Sequence, residues 1–152
     1  MNSSQNSVLL VRKIDSRAEM PARAHPGDAG LDLRTLDPVE LLPQQSALVS
    51  TGLSFAIPEG CVGLVLDRSS MAKKGVKTAG GVIDSGYRGE LKVMLWNIGA
   101  TPQTLEAGDR IAQLVIFPIA FPVPTEIHSQ VSDEEWVSTT ARGEGGFGSS
   151  GR

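Results

Sequence analysis

Two carboxylates four residues apart, Asp28 and Asp32 in "HPGDAGLDLRT", stand beside Gly27 and Gly30, which permit tight turns. Such a pair can hold hydrated Mg2+, an ion that keeps several of its waters, or it can cap turns. Further on, "LDRSSMAKKG" places Arg68, Ser69 and Ser70 at the start of a short helix-forming run. Free N–H groups, two hydroxyls and a guanidinium fork are the donors of a phosphate site in miniature; a simple N-cap is the alternative. In "TAGGVIDSGYRGELKV", Ser85-Gly86 reads as the turn of a tight hairpin, with Asp84 before it and Tyr87 after it. A carboxylate there can take a proton from water, and a tyrosine ring can pack on a sugar face. Arg88 and Glu90 read as a strand-edge charge pair, and Asp67 as a surface charge. Gln113 is a polar amide in the apolar run "RIAQLVI", so it faces a ligand or ties down backbone. The final "ARGEGGFGSSGR" sets Arg142, Phe147, Gly148 and Ser149 in a glycine-rich segment with too little apolar surface to fold by itself.

Other chemistries lack their parts. Gly143-x-Gly145-x-x-Gly148 has the spacing of a dinucleotide fingerprint, but no strand precedes it and no helix with a distant acid follows. There is no GxxxxGK[ST], HExxH, EF-hand loop or GxSxG. One cysteine, Cys61, excludes an internal disulfide and reads as a small buried hydrophobe in "CVGLVL". With His25 and His128 as the whole histidine complement, a zinc site is not expected.

These residues must be positioned by short elements. Glycine (17) and proline (9) break the chain into brief Val/Leu/Ile-rich runs, among them "SVLLVRK", "LDLRT", "ALVSTGLSFAI", "CVGLVLD", "ELKVMLWNI", "RIAQLVIFPI" and "TEIHSQ". Many short strands with turns every 8–12 residues or so indicate an all-β fold. The fold expected is a single-domain jelly-roll-like β-barrel over 1–140, with one short helix at Ser69–Gly75 and a flexible C-terminal arm over 141–152. "SDEEW" (Ser132–Trp136) can add another helical turn. At 152 residues and a formal charge of −3, nothing draws the chain to nucleic acid or membrane, so any bound anion must meet local basic groups. No apolar window is long enough to span a membrane, and "MNSSQNSVLLVRK" lacks the apolar core of a signal peptide. A cytoplasmic protein is expected.

Taken in order, "AGLDL", "RSSMA", "GGVIDSGYRGE", "GDRIAQL" and "RGEGGFGSSG" resemble the five motifs of the trimeric deoxyuridine triphosphate nucleotidohydrolases (dUTPases), from about residue 20 to 151. The resemblance implies a jelly-roll homotrimer that cleaves dUTP to dUMP and pyrophosphate with Mg2+, each site drawing on three subunits. It implies that Asp84 activates water at the α-phosphorus and that Tyr87 lies under the deoxyribose and excludes a 2′-hydroxyl. Arg68, Ser69 and Gln113 would hold phosphate oxygens, with Ser70 beside them, and Gly81, Val82 and Ile83 would meet the nucleoside. Asp32 would meet the metal through water, with Asp28 in a lesser part. In the arm, Arg142 would pair with the γ-phosphate, Phe147 would cover the uracil, and Gly148 and Ser149 would donate to phosphates. The chain departs from the family where several relatives carry a uracil-pairing asparagine: it has "KTAGG", with Thr78 near that position. Asp67 before Arg68 is also unusual. A dCTP deaminase of the same fold is the rival reading, but Tyr87 and the aromatic arm sit closer to a dUTPase.

Overall fold

The computed structural model describes residues 8–127 and 131–141. The chain forms two units, Met1–Ala120 and Phe121–Arg152. The arm proposed from the sequence lies, from Arg142 on, outside the described residues.

The first unit is antiparallel throughout. Its strands are β1 (Leu10–Lys13), β2 (Leu31–Arg34), β3 (Val39–Leu41), β4 (Ser46–Ser50), β5 (Leu53–Ala56), β6 (Cys61–Leu66), β7 (Val76–Thr78), β8 (Val82–Ile83), β9 (Lys92–Asn97), β10 (Gln103–Leu105) and β11 (Arg110–Pro118), with a short helix, α1, at Ser69–Lys73. They form one sheet in the order β2-β11-β6-β8, a second in the order β4-β9-β7, and two ribbons, β1-β5 and β3-β10. The architecture is jelly-roll-like, but the ladders do not close into a barrel among the described residues.

Alternation of side chains makes these strands. Along β9, Val93, Leu95 and Asn97 are buried while Lys92 and Trp96 are exposed, the period-two pattern of a half-buried strand. The core gathers Leu33, Leu95, Ile111 and Leu114 from both large sheets, Phe55 from the β1-β5 ribbon and Met71 from α1. Each such side chain contributes roughly 1.5–3 kcal/mol by leaving water. Asn97 is the polar member of this interior. Its Nδ2 donates to the carbonyls of Leu41 (2.9 Å) and Thr101 (2.8 Å), and its Oδ1 accepts from the Gly99 amide (3.0 Å). No buried side-chain polar atom among the described residues lacks a partner.

Three expectations are corrected here. "IDSGYRG" makes a turn, closed by the Tyr87 amide donating to the Asp84 carbonyl (3.0 Å), but not a hairpin. β8 before it pairs with β6, whereas β9 after it pairs with β4 and β7, so the turn carries the chain from one sheet to the other. Thr125–Ile127 of "TEIHSQ" is irregular rather than a strand, and His128–Gln130 lie outside the described residues. Cys61 is half-buried at the edge of the core rather than enclosed in it.

In the second unit, "SDEEW" opens a helix, α2 (Asp133–Ser138). Ser132 and Glu135 form a reciprocal capping box, and three acids stand in the first turn. No helix among the described residues is long and apolar enough to cross a membrane.

Candidate active site

Register in the four-stranded sheet builds the first half of the site. Gln113 of β11 stands opposite Asp32 of β2 on one side and Leu66 of β6 on the other. The chain leaves β6 at that row, so Asp67, Arg68 and Ser69 emerge beside Asp32. A cleft of about 330 Å³ forms there, lined by Asp28, Asp32, Arg68, Ser69 and Gln113 among others.

Arg68 is held on three acceptors. Its Nε donates to Asp32 Oδ1 (2.9 Å), and its Nη1 donates to Ser70 Oγ (3.2 Å) and to the Arg110 carbonyl (3.2 Å). The other oxygen of Asp32, Oδ2, accepts from Arg110 Nη1 (3.2 Å). Asp32 is 15 % exposed, so one shielded carboxylate carries two guanidinium groups and the cluster keeps a net positive charge. Arg68 occupies the N-cap of α1 with no side-chain cap, so Ser69 is the first helical residue rather than the capping serine expected.

Gln113 does both things left open for it. Its Nε2 donates to the Asp67 carbonyl (2.8 Å), and its side chain lines the cleft. The amide lies against Gly30, where an added Cβ would fall 2.9 Å from Gln113 Cβ and Cδ, closer than real contacts allow. Asp28 caps its own turn: its Oδ2 accepts from the His25 amide (2.9 Å) and its amide donates to the His25 carbonyl (3.2 Å).

Asp67 is not the surface charge the sequence suggested. Its Oδ1 accepts from the amide (2.6 Å) and the hydroxyl (2.8 Å) of Thr78, and its Oδ2 pairs with Lys77 (2.8 Å). It therefore ties the end of β6 to β7. Burial pushes its carboxyl up, but the Lys77 ammonium and the two Thr78 donors outweigh that and hold it below the usual carboxylate range. A depressed folded value stabilises the protein above the unfolded value of about 3.9, and the contribution is lost as pH falls through the folded value. Asp67→Ala is expected to lower stability by about 1–3 kcal/mol at neutral pH, read from the urea midpoint, because the Thr78 donors lose their acceptor. Asp67→Asn keeps Oδ1 and should lose less, and its acid unfolding below about pH 4 should be flatter than that of the parent.

The second half lies elsewhere. Val82, Ile83, Asp84 and Tyr87 line a cleft of about 520 Å³ together with Leu48 and Lys92. Asp84 is exposed. Tyr87, 45 % exposed, donates its hydroxyl to the Glu90 carbonyl (2.9 Å). Its ring lies over Gly89, where a Cβ would come within 2.6 Å of Tyr87 Cζ, so glycine is what seats the ring. Gly81, at φ +107°, turns its carbonyl to the Val65 amide (2.8 Å), and a Cβ there would meet the Val65 carbonyl oxygen at 2.8 Å. The expected Arg88–Glu90 pair does not form. Arg88 folds back on the Ser85 and Tyr87 carbonyls (2.6 and 2.8 Å), and Glu90 instead accepts from the Gly52 amide (2.9 Å) and pairs with Lys92 (3.5 Å).

The two clefts share no residue and sit at opposite ends of β6. Ile83 pairs with Gly63 and Val82 with Leu64, so Asp84 continues toward Val62. Arg68 lies six residues past Val62 along an extended chain. At about 3.3 Å per residue that separation is roughly 20 Å. Arg142, Phe147, Gly148 and Ser149 lie outside the described residues. Arg110, bonded to Asp32, and Gly89, under the Tyr87 ring, are residues beside the two clefts that the sequence reading did not single out. Arg110 was quoted within "GDRIAQL", and Gly89 has no sequence signal beyond standing near Tyr87.

Comparisons with known proteins identify the family. The dUTPase family model matches residues 16–151. The deoxyuridine 5'-triphosphate nucleotidohydrolase of Mycolicibacterium vanbaalenii is 45% identical over 149 residues, 95% of this chain and 96% of its own. That of Mycobacterium sp. (strain JLS) is 48% identical over 147 residues, 94% of each. Among solved structures, a variant of the Staphylococcus bacteriophage 80alpha dUTPase with dUpNHpp superposes at a TM-score of 0.85 and 32% identity, covering 95% of this chain and 99% of that one. A variant of the dUTPase from phage phi11 of S. aureus, described with a coordinated structural Mg(II) ion, superposes at 0.76 with 31% identity, covering 82% and 99%.

Proposed function

This chain belongs to the dUTPase family, and on that premise we propose how its residues share the reaction between copies. The chain is a dUTP diphosphatase: it hydrolyses dUTP to dUMP and pyrophosphate, which supplies dUMP and keeps uracil out of DNA.

Asp84 accepts a proton from a water as that water's oxygen bonds to the α-phosphorus. The bond from that phosphorus to the bridging oxygen breaks, and pyrophosphate leaves with the electron pair. Arg68, Ser69, Ser70 and Gln113 hold the phosphate oxygens in line and neutralise charge. Tyr87 lies under the deoxyribose, beside Gly81, Val82 and Ile83. Arg142, Phe147, Gly148 and Ser149 of the arm close over the nucleotide and exclude water.

The cleft fits Mg2+ as a hydrated ion. No group of three or more His, Cys, Asp or Glu stands ready among the described residues to strip its waters. Each Asp32 oxygen takes one guanidinium donor and keeps a lone pair, so Asp32, supported by Asp28, would accept hydrogen bonds from the ion's waters. When bound, the ion adds positive charge beside the triphosphate. The substrate is a soluble nucleotide, and the cytoplasm is the compartment we assign.

The roughly 20 Å between Asp84 and Arg68 carries the assembly proposal. A base must stand within about 3 Å of the proton it takes, and one triphosphate cannot bridge that length of strand. A working site therefore combines Asp84 of one copy with Arg68, Ser69 and Gln113 of another, as in a homotrimer. Co-expressing Asp84→Asn chains with Arg68→Met chains tests this. Each variant alone is expected to be nearly inactive. Random assortment should restore about a quarter of the sites, because the two intact halves then meet. Mixed assemblies as inactive as the parents would end the shared-site proposal.

A further inference from the structure

We propose that Arg110 is a positioning residue that keeps Arg68 available to the triphosphate by occupying the second oxygen of Asp32. The inference rests on the dUTP-hydrolysing reading above. An arginine beside a carboxylate ordinarily closes a two-bond fork, with two nitrogens on two oxygens. Here Arg68 makes one of those bonds, Nε to Asp32 Oδ1 (2.9 Å), while Oδ2 is taken by Arg110 Nη1 (3.2 Å). The Arg68 Nη1 is turned to Ser70 Oγ and the Arg110 carbonyl, both at 3.2 Å. That leaves Nη2 with no protein partner among the described residues. Nε and Nη2 form the side-on edge of a guanidinium, the edge that would chelate both oxygens of Asp32; a water can share Oδ2 with Arg110, but a second guanidinium nitrogen there meets its like charge. Arg110 blocks that closure twice, through its side chain on Oδ2 and its carbonyl on Nη1. The result is an Arg68 fixed in place with the two N–H groups of Nη2 unpaired among the described residues, the state a phosphate ligand requires. Without Arg110, Arg68 Nη2 closes onto Asp32 Oδ2 and one of its two unpaired N–H groups is lost.

The test is calorimetric binding of a non-hydrolysable imido analogue of dUTP to the assembled full-length protein, with dUTP turnover measured alongside. Arg110→Met removes the donor and keeps the apolar stem. It should weaken binding and kcat/KM about 10- to 100-fold, the usual effect of a misplaced contact group. Arg110→Lys keeps a donor for Oδ2 and should retain most of both. In an Arg68→Met background, Arg110→Met should cost little more, because it acts through Arg68. Losses that multiply across the two positions, or an equal loss in the lysine and methionine variants, would overturn the proposal. So would a melting temperature that falls in step with binding, which would make Arg110 merely structural. Normal wild-type turnover with multiplying losses sinks the role of Arg110 alone, whereas a wild type that leaves dUTP intact sinks the functional reading with it.

Discussion

Asp84→Asn is expected to lower kcat on dUTP by on the order of 10²–10⁴-fold, with KM nearly unchanged. The amide matches the carboxylate in shape but cannot take the proton of the attacking water. Asp84 is exposed and lies just past the two-residue β8, and its carbonyl, not its side chain, closes the turn to Tyr87 (3.0 Å). The substitution should therefore leave the fold and the melting temperature intact, so the loss is chemical rather than structural. Pyrophosphate release under saturating dUTP measures it. Near-normal turnover in the variant would remove Asp84 from the role of base.

Deleting residues 141–152 should cost at least about 10²-fold in kcat/KM while sparing the folded assembly. The segment holds Arg142 and Phe147, the proposed partners of the γ-phosphate and the uracil ring. The core side chains of the described residues lie between Leu9 and Ile116. Sizing chromatography and a thermal melt should match the parent, and steady-state kinetics should not. Loss of the assembly on truncation would recast the segment as structural.

Much of the fold was legible because strands with one buried face write their period into the sequence. Lys92–Asn97 is a run of that kind, whereas Arg110–Pro118, with Ile111, Ala112, Leu114 and Val115 all buried, was legible as a near-continuous apolar run. The helix at Ser69–Lys73 and the helical turn at "SDEEW" were legible for a similar reason, since their signals are local. What was not legible depends on distant partners. "IDSGYRG" has every mark of a hairpin, yet β8 finds its partner in β6, 20 residues upstream at Gly63 and Ile83. Asp67 looked like a solvated charge because Thr78, which it holds, is 11 residues away. The five motifs were legible as chemistry, but the division of the first four between two clefts follows from register alone. Arg110 stayed hidden because a charged residue at the start of a strand looks like an exposed edge position. Its partner, Asp32, lies 78 residues back.

The placement of Asp84 and Arg68 at opposite ends of β6 makes turnover a matter of dosage. On the shared-site proposal, a single chain owns two halves of different sites and no whole one. Activity per chain should then fall on dilution, at the concentration where copies part rather than where chains unfold. A nucleotide that touches two copies at once favours their association by mass action, so dUTP helps to assemble the hydrolase that consumes it. Scarce chains in the presence of abundant dUTP would be more active, chain for chain, than the same chains diluted before they meet it.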